Sequence, residues 1–372
     1  MNVLFISTTY PTDDKDWRGR FIERMLEALG RNPSLDFSVW APPGKLPAGS
    51  SCALSEHEAR YLEKLMHHGG IAHLIRRRKT LSIPYILGLL VSLALTFIKH
   101  KKYDLAHINW MQNAIPLITN RTPALVSVLG SDFALLKLPG MKSILRHVFK
   151  KRPTILAPNA EWMTRELALR FGDVAQIVCV PFGVDRKWFQ IQRDLTEFQT
   201  KRKWIAVTRL TSKKIGDLFK WGEELFTKED ELHLIGPMQE QIQLPEWVHY
   251  HGPASPAQLQ QEWFPNSAGL ITLSHHDEGR PQVLLEAMAS SLPVICSALD
   301  AHTDIIKDGI QGHIVQSKRD FQDAIKKLSD REHNITIGNN ARSIIYNDIG
   351  DWGKCADRYT DLYLNLTQKN NE

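Results

Sequence analysis

The feature that most constrains the fold is the alternation of short apolar, β-branched runs with helical patterns along the 372-residue chain. Parallel strands need such crossovers, and strands covered on both faces are short continuous apolar runs. The first half predicts six strands, at 2–7, 36–41, 104–110, 124–130, 154–158 and 177–181. The pattern then restarts and predicts six more, at 204–208, 231–235, 248–250, 268–274, 293–297 and 312–315. The sequence therefore predicts an α/β protein with two parallel-sheet lobes.

A polar stretch at 191–203 separates the two runs of strands, and its many charged and few apolar residues are typical of a connector. We therefore expect one Rossmann-like lobe at 1–190 and a second at 204–350. The last residues, 351–372, predict a helix that returns toward the first lobe.

The composition excludes several classes of protein. With 43% hydrophobic and 23% charged residues, the chain is neither disordered nor fibrous. The four cysteines are far apart without CxxC spacing, which argues against a disulfide framework and a structural zinc site. No basic segment precedes the first apolar run, so we expect no cleaved signal peptide and a cytoplasmic protein. A net charge of +5 suits a polyanionic substrate, an anionic membrane surface or nucleic acid, and charge alone does not choose.

One long apolar stretch, 81–98, has two interpretations. It could be a membrane span, but the basic runs 76–79 and 99–102 on both flanks give no bias in orientation. Its 18 residues are at the short limit for spanning, and it contains Pro84 and Gly88. We interpret it as a buried crossover helix, whose basic flanks would hold the first lobe against anionic lipid at about 1 kcal/mol per charge.

The segment most informative about chemistry is 277–297. Glu278 precedes a predicted helix that begins at Pro281, and Glu286 lies a turn and a half inside that helix. The free N–H groups and dipole of a helix N-terminus suit a pyrophosphate. The ordinary alternative is that both glutamates are solvated surface acids.

These residues resemble a known family. Glu278 and Glu286, in the setting EGxPxVxLEAMAxxxPVI, are similar to the paired-glutamate motif of retaining family 4 glycosyltransferases, which have the GT-B fold of two Rossmann-like lobes facing a cleft. The resemblance implies that Glu286 holds the ribose hydroxyls of a nucleotide diphosphate sugar and that Glu278 holds the transferred sugar. It also implies donor contacts from Pro281, Gln282 and Val283. The lobe at 1–190 would bind the acceptor and the lobe at 204–350 the donor.

A second segment resembles the same family. Thr208-Arg209-Leu210 followed by Lys214 is similar to the family's G-R-L-x-x-x-K-G, in which the arginine and lysine bind the donor diphosphate. Such cations would neutralise a leaving phosphate, and the ordinary alternative is a charged surface loop. The chain departs from the pattern at Thr208 and at Ile215, where the family has glycines.

Further landmarks follow in the family's order. Gly236 resembles the strand-end glycine of the second lobe, and Gly252 lies in the loop that lines the base pocket in the family. In the first lobe, Gly19 resembles the glycine loop that faces the donor phosphates.

Two acidic or basic residues of the first lobe are candidates for catalysis. The sequence Val128 to Asp132 resembles the family's H-G-S-D, with Leu129 in place of the histidine. Asp132 is either a ligand-facing carboxylate or a helix N-cap. His107 lies near the end of a predicted strand that would face the cleft, and it is either functional or a hydrogen-bonded core histidine.

The remaining motifs exclude other chemistries. The run from His275 to Glu278 has no spaced partner residues, so we expect no metal site. The sequence lacks GxGxxG, GxxxxGK[ST] and GxSxG, which are the motifs typical of dinucleotide oxidoreductases, P-loop NTPases and serine hydrolases. It therefore gives no motif evidence for these classes.

The resemblance implies a hexosyltransferase that moves a sugar, with retention, to a hydroxyl of a glycan or lipid-linked oligosaccharide in cell-surface polysaccharide biosynthesis. We expect no cofactor beyond the nucleotide-sugar co-substrate, no nucleic-acid partner, and peripheral attachment to the inner face of an anionic membrane. Two alternatives stay open. One is a GT-B epimerase, and the other is a non-catalytic nucleotide-sugar-binding homologue, suggested by Leu129 and Ile215.

Overall fold

In a computed structural model that describes residues 1–13, 16–71, 74, 79–99, 103–226, 229–276 and 278–368, the chain forms two compact units. The first unit comprises Met1–Phe182 together with Trp352–Glu372, and the second comprises Gly183–Asp351. Each unit contains one parallel sheet covered by helices, so the predicted α/β class is confirmed.

The stretch 191–203, expected to be a connector, packs into the second unit. Ile191 and Phe198 are buried in the cores of that unit. The buried guanidinium of Arg193 donates hydrogen bonds of 2.9 to 3.1 Å to main-chain carbonyl oxygens of Ser267, Ala268 and Ser291. These buried residues could not be recognised from the polar composition of the stretch. The boundary between the units falls between Phe182 and Gly183.

The sheet of the first unit is built from β1 Asn2–Ile6, β2 Asp36–Trp40, β3 Ser50–Cys52, β4 Leu105–Asn109, β5 Ala124–Val128, β6 Thr154–Pro158 and β7 Gln176–Ile177. Within the described residues the strand order is β3-β2-β1-β4-β5-β6-β7, and every pairing is parallel. The pattern analysis missed β3 because its sequence, Ser-Ser-Cys, has no apolar signal. As an edge strand it pairs with β2, and the hydroxyl of Ser51 also donates a hydrogen bond to the carbonyl oxygen of Phe37.

The helices of the first unit are α1 Arg20–Leu29, α2 Glu56–His67, α3 Lys79–Lys99, α4 Asp132–Leu136, α5 Met141–Lys150 and α6 Trp162–Phe171. A 3₁₀ helix spans Met111–Thr119, and the C-terminal helix spans Trp352–Gln368. This last helix packs on α1 and buries Tyr359 and Tyr363 in the first unit, as predicted for a helix that returns to that unit.

Helix α3 contains the apolar stretch 81–98, and only one of its faces is buried. Leu89, Leu93 and Phe97 pack into the core of the first unit, as expected for a crossover helix. The opposite face is exposed. No helix within the described residues is long and apolar enough to cross a membrane. The flanking residues 75–78 and 100–102 lie outside the described ranges.

The sheet of the second unit contains β8 Arg202–Val207, β9 Asp230–Ile235, β10 Val248–Tyr250, β11 Gly269–Thr272, β12 Val294–Ser297 and β13 Gly312–Val315. In the part of this unit that the structure describes, the order is β10-β9-β8-β11-β12-β13, again parallel throughout. The helices are α7 Ser212–Ile215, α8 Leu218–Gly222, α9 Pro256–Gln258, α10 Gln282–Ala289, α11 Asp300–Thr303, α12 Lys318–Leu328 and α13 Arg331–Ile344. Short 3₁₀ or π-helical segments span Arg186–Gln190, Leu259–Trp263 and Ile345–Ile349.

The strand order decides which loops meet. Because β8, β11 and β12 are neighbours, the loops after them leave the same carboxyl edge of the second sheet. Open α/β sheets bind their ligands at this edge. All six predicted strands of the second unit are confirmed to within two residues at either end.

Candidate functional site

An ion pair joins two of the predicted residues at the carboxyl edge of the second sheet. Nζ of Lys214, in α7, lies 2.6 Å from Oε1 of Glu278, in the loop that follows β11. Their side chains are only 12% and 20% exposed. Burial lowers the pKa of Lys214, the nearby charge of Arg209 lowers it further, and the carboxylate of Glu278 opposes both. Three predicted site residues therefore act on one another electrostatically.

Two glycines allow close main-chain approach near Arg209 and in the loop after β11. Gly236 has a φ of 144°, and a Cβ on it would lie 1.7 Å from the carbonyl oxygen of Thr208. Gly216 has a φ of 54°, and a Cβ there would lie 1.8 Å from the carbonyl oxygen of Leu273. Any side chain at either position would push these main-chain segments apart. The glycine that follows Lys214 one residue later than in the family pattern thus still closes a tight turn.

Ile215, the residue that displaces this glycine, has a structural role. Its side chain is buried in the core of the second unit, and it is the last residue of α7. The side chain of Thr211 caps the same helix by accepting a hydrogen bond from the main-chain N–H of Lys214 at 3.3 Å. The departure from the family pattern leaves the lysine at the sheet edge.

The loop between Glu278 and α10 is fixed at its far end. Pro281 is the N-cap of α10, so the helix begins at Gln282, one residue later than expected. Arg280 forms a buried ion pair with Asp304, the residue that follows α11. The Gln282 side chain donates a 2.8 Å hydrogen bond from Nε2 to the carbonyl oxygen of Gly183. The neighbouring Val283 packs partly buried against the core, and Asp277 lies outside the described residues.

Glu286 lies in the second turn of α10 and is not bonded to the Lys214–Glu278 pair. Its side chain is partly exposed, and no hydrogen bond reaches its carboxyl group from the described ranges of the chain. Burial raises the pKa of Glu286 to about 8, and the charge of Asp185 adds to the rise. Glu286 is therefore protonated near neutral pH in the empty site and is open to a ligand.

Two glycines follow β9 and β10, the two strands on one side of β8. The main-chain N–H of Gly236, after β9, donates a 2.8 Å hydrogen bond to the carbonyl oxygen of Gly252, after β10. A Cβ on Gly252 would meet open space. The loop predicted to line a base pocket is thus tied to the strand-end glycine beside Arg209.

The pattern analysis missed His302, a fully buried residue of α11. Its Nδ1 lies 2.9 Å from the carbonyl oxygen of Ser297, so Nδ1 carries the proton. Its Nε2 has no hydrogen-bond partner among the described residues. Burial lowers the pKa of His302, while the charges of Glu278 and Lys214 raise and lower it, respectively. An acceptor nitrogen is therefore buried within electrostatic range of the ion pair.

In the first unit, His107 is a core residue, contrary to its candidate catalytic role. It is the third residue of β4 rather than a strand end, and it is fully buried. Nδ1 lies 2.5 Å from the hydroxyl of Tyr363, and Nε2 lies 2.8 Å from that of Ser127. Burial lowers the pKa of His107 to about 3. Neither ring nitrogen is available to a substrate.

Asp132 holds main chain rather than facing a ligand. Its two carboxyl oxygens accept hydrogen bonds from the main-chain N–H groups of Met111 at 2.6 Å and Leu129 at 2.8 Å. Burial raises the pKa of Asp132 to about 6, although these two bonds oppose the rise. It is the first residue of α4 and ties the loop after β5 to the loop after β4, where Trp110 has a φ of 68°. Asp132 is therefore a positioning residue, neither catalytic nor an N-cap.

Gly19 is the N-cap of α1 and stands in the loop after β1. This places it at the carboxyl edge of the first sheet, as the loops after β4 and β5 are. Its predicted role toward the donor phosphates stays a prediction.

The run of acidic and basic residues before α10 shows local pairing. Nε2 of His275 lies 2.9 Å from a carboxyl oxygen of Asp217, and its main-chain N–H donates to the carbonyl oxygen of Lys213. Within the described ranges, no three histidine, cysteine or acidic side chains are grouped to hold a metal ion.

Comparisons with known proteins agree with this geometry. Residues 201–331, which contain the ion pair and α10, match the family model described as "Glycosyl transferases group 1". A stretch of 103 residues is 30% identical to a probable sucrose-phosphate synthase of Thermosipho melanesiensis. That match covers 28% of this chain and 23% of the relative, so the chain aligns with about a quarter of the relative's length.

Solved structures resemble the whole chain in fold. A sucrose-phosphate synthase from Thermosynechococcus elongatus has a TM-score of 0.71 at 15% identity, over 99% of this chain and 100% of that one. Anabaena HepE in complex with UDP-glucose has a TM-score of 0.66 at 13% identity, over 98% and 100% of the two chains. The chain therefore has the GT-B fold, and its residues 201–331 are similar to the group 1 glycosyl transferases.

Proposed function

We propose that this chain is a retaining glycosyltransferase that moves a sugar from a nucleoside diphosphate sugar to a hydroxyl group. The observation that carries the proposal is the Lys214–Glu278 ion pair beside Arg209, at the carboxyl edge of the second sheet and inside the matched domain. HepE, whose fold the chain shares, is described in complex with UDP and with UDP-glucose, which supports a UDP-sugar as the first donor to test.

The hard step in such a transfer is the departure of the diphosphate. As the bond between the anomeric carbon and the phosphate oxygen breaks, its electrons go to the diphosphate, whose charge grows. Arg209 and Lys214 would stabilise that charge, because cations fixed in a partly buried site need no reorganisation at the moment of reaction. Lys214 carries three N–H donors, so it can keep Glu278 on one and turn the others to a phosphate. Glu278 would then orient Lys214 while its carboxylate accepts a hydrogen bond from a hydroxyl group of the sugar.

Retention follows, in this proposal, from attack on the face that the diphosphate leaves. The acceptor hydroxyl forms the new bond at the anomeric carbon and passes its proton to the departing phosphate oxygen. No side chain needs to act as a strong base. This agrees with the buried, fully bonded state of His107 and with the main-chain bonds of Asp132.

Three further residues would bind the donor. The free carboxyl group of Glu286 suits the two hydroxyls of a ribose, to which it would bind as a carboxylate. The buried acceptor Nε2 of His302 suits a hydroxyl of the transferred sugar, which would satisfy a polar atom that otherwise costs about 1–3 kcal/mol unpaired. The open space at Gly252 leaves room for a base.

We propose a glycan or lipid-linked oligosaccharide as the acceptor, in cell-surface polysaccharide biosynthesis at the cytoplasmic face of a membrane. The basic runs at 76–79 and 99–102 support an anionic surface nearby. Sugar phosphates belong in the acceptor panel as well, because two neighbours in fold are named sucrose-phosphate synthase and trehalose-6-phosphate synthase.

The reaction as proposed uses no metal and no cofactor, because Arg209 and Lys214 take the place of a divalent ion at the diphosphate. Activity should then survive EDTA in full. Loss of activity on chelation, with recovery on adding manganese or magnesium, would overturn this part of the proposal.

The alternatives are separated by one experiment, incubation with labelled nucleotide sugars and the acceptor panel. A transferase gives a glycosylated product or slow release of free nucleotide, and the product keeps the donor's anomeric configuration. An epimerase gives an isomeric nucleotide sugar, and a non-catalytic homologue only binds. Lys213→Ala, at the exposed neighbour of Lys214, is the matched control for Lys214→Ala.

A further inference from the structure

Helix α3 is apolar on both its buried and its exposed face, and its buried hydroxyl groups are hydrogen-bonded within the first unit. The hydroxyls of Ser92 and Thr96 point inward and donate hydrogen bonds of 2.9 and 2.8 Å to the same carboxyl oxygen of Glu58 in α2. The indole of Trp40 donates to that oxygen as well, at 3.1 Å. These contacts pin the inner face of α3 to the first unit, together with the buried Leu89, Leu93 and Phe97.

The outer face of the helix is apolar. Its exposed large side chains are Ile83 (55%), Leu87 (58%), Val91 (58%), Leu95 (60%) and Ile98 (50%). At 3.6 residues per turn they fall within an arc of about 120° and form one stripe along the helix. We call these five residues the outer stripe. Single exposed apolar residues are normal on a protein, but a continuous row of five marks a surface that contacts something apolar.

Charge identifies what that surface contacts. In the sequence, the stripe is preceded by Arg76, Arg77, Arg78 and Lys79 and followed by Lys99, Lys101 and Lys102. No acidic residue occurs between positions 72 and 103. Two copies of this chain that met through the stripe would bring these like charges together, whereas an anionic lipid surface would attract them.

We propose that the outer stripe of α3 enters the interface of an anionic bilayer, with the helix axis in the membrane plane. The apolar side chains lie at the boundary between headgroups and acyl chains, and the excess of basic residues in the neighbouring sequence favours an anionic surface. The inward bonds of Ser92 and Thr96 keep α3 attached to α2 of the first unit, so it lies on the membrane rather than across it. This inference rests on the proposed peripheral location and is independent of the transfer reaction.

The test is sedimentation of the full chain with vesicles of phosphatidylcholine alone or with 30% phosphatidylglycerol added, about the range in which surface charge attracts basic segments. The variant is Leu87→Gln/Val91→Gln/Leu95→Gln. Its matched control is Leu138→Gln/Ile144→Gln/Leu169→Gln, which removes three exposed apolar residues elsewhere in the same unit. We expect the wild type and the control to bind anionic vesicles about tenfold or more above neutral ones, and the stripe variant to lose about tenfold or more of that binding.

Several results would overturn the inference. Equal losses in the stripe variant and the control would mean that the stripe has no special role. A wild type that sediments as a dimer, and a stripe variant that is monomeric, would assign the stripe to a second copy. Resistance to carbonate extraction would mean that the helix spans the bilayer.

Nucleotide release from a UDP-sugar, measured without lipid, separates this proposal from the proposed function. The stripe variant should retain that release while losing vesicle binding, with a melting temperature close to that of the wild type. Vesicle binding without any nucleotide release would leave the membrane surface standing and contradict the transferase. Nucleotide release without vesicle binding would support the transferase and contradict the membrane surface.

Discussion

Lys214 Nζ and Glu278 Oε1 are 2.6 Å apart although the two residues are separated by 64 positions in the sequence. The contact exists because β8 and β11 are neighbours, so the loops after these strands leave the sheet side by side. Each residue limits the freedom of the other in a site that excludes most water. The lysine is therefore held in place before any ligand arrives, which is the condition for electrostatic stabilisation of a transition state.

The first prediction concerns these cations. Lys214→Ala should lower kcat by about 10²–10³, the usual cost of removing one group that stabilises developing charge, with a smaller effect on acceptor KM. Arg209→Ala should act in the same direction, and Arg209→Lys should recover only part of the rate because a lysine lacks the planar fork that binds two phosphate oxygens. Steady-state kinetics with the identified donor measures all three.

Lys213→Ala is the matched control, since this lysine is adjacent and exposed. Its kcat should stay within about twofold of the wild type. If Lys214→Ala and Arg209→Ala kept the wild-type kcat, the proposed role of the pair would be wrong.

The second prediction uses the raised pKa of Glu286. Burial places this pKa at about 8, and a carboxylate is the form that accepts hydrogen bonds from two ribose hydroxyls. Donor binding must therefore release a proton below pH 8. Donor affinity should rise with pH, by up to about tenfold per unit between pH 6 and 8, and then level off.

Glu286→Gln should remove this pH dependence and weaken donor binding by about 1.5–3 kcal/mol at pH 8.5. Calorimetry in buffers of different ionisation enthalpy counts the released proton. Glu223→Gln, an exposed glutamate of the same unit, should leave the profile unchanged. A flat profile in the wild type would contradict the role given to Glu286.

The candidate site residues that the sequence predicted lie in motifs that follow one another along the chain. Arg209, Lys214, Glu278 and Glu286 each stand at a fixed spacing from a strand end or helix start, and local patterns located those ends to within two residues. The position of these four residues near the carboxyl edge of the second sheet could be predicted because the segments that carry them follow strands in order. The contact between Lys214 and Glu278 could not, because it depends on which strands are neighbours.

His302 illustrates what the strand order adds. It lies after β12, and only the observed order places β12 beside β11 at the edge that holds the ion pair. His107 and Asp132 illustrate the opposite error. Their burial comes from distant residues, such as Tyr363, which is 256 positions from His107. A strand end read from sequence alone could not show that these side chains were already bonded.

The third prediction tests His302 with His302→Leu. This change keeps much of the volume and removes two things: the buried acceptor Nε2, which has no partner among the described residues, and the hydrogen bond from Nδ1 to the carbonyl oxygen of Ser297. These effects oppose each other, so the free energy of unfolding should change by less than about 1 kcal/mol. If Nε2 accepts a hydrogen bond from a hydroxyl group of the transferred sugar, kcat/KM of His302→Leu should be about tenfold or more below that of the wild type. Melting curves and donor kinetics on the same samples make the comparison.

His333→Leu is the control for that substitution, because Nε2 of His333 likewise has no partner in the part of the chain that the structure describes, but His333 lies in α13. It should leave the kinetics unchanged. A drop in kcat/KM for His302→Leu that came with a matching loss of stability would assign His302 to packing.

The fourth prediction concerns the stability of the first unit. The pKa of His107 is about 3 in the fold and about 6.5 in an unfolded chain, so between these values only the unfolded state binds the proton. Stability from this group is present above pH 6.5 and falls by about 1.4 kcal/mol per unit as the pH drops below it.

His107→Gln should remove this dependence of stability on pH, although it should also lower the free energy of unfolding at pH 7.5. The measurement is the hydrogen-exchange protection of β4 amides at pH 7.5 and 5.0, compared between wild type and variant. The difference between the two proteins should shrink at pH 5.0, and the raised pKa of Asp132 affects both equally. A constant difference would mean that His107 titrates normally.

The most direct test of the central claim is the release of free nucleotide from a UDP-sugar by the wild type, Lys214→Ala and Lys213→Ala, together with calorimetric donor binding by the same three proteins. The account predicts release by the wild type and Lys213→Ala, and a loss of about 10²–10³ in Lys214→Ala with donor binding weakened far less. Donor binding by all three proteins with no release of nucleotide by the wild type, across the full panel of donors and acceptors, would contradict it.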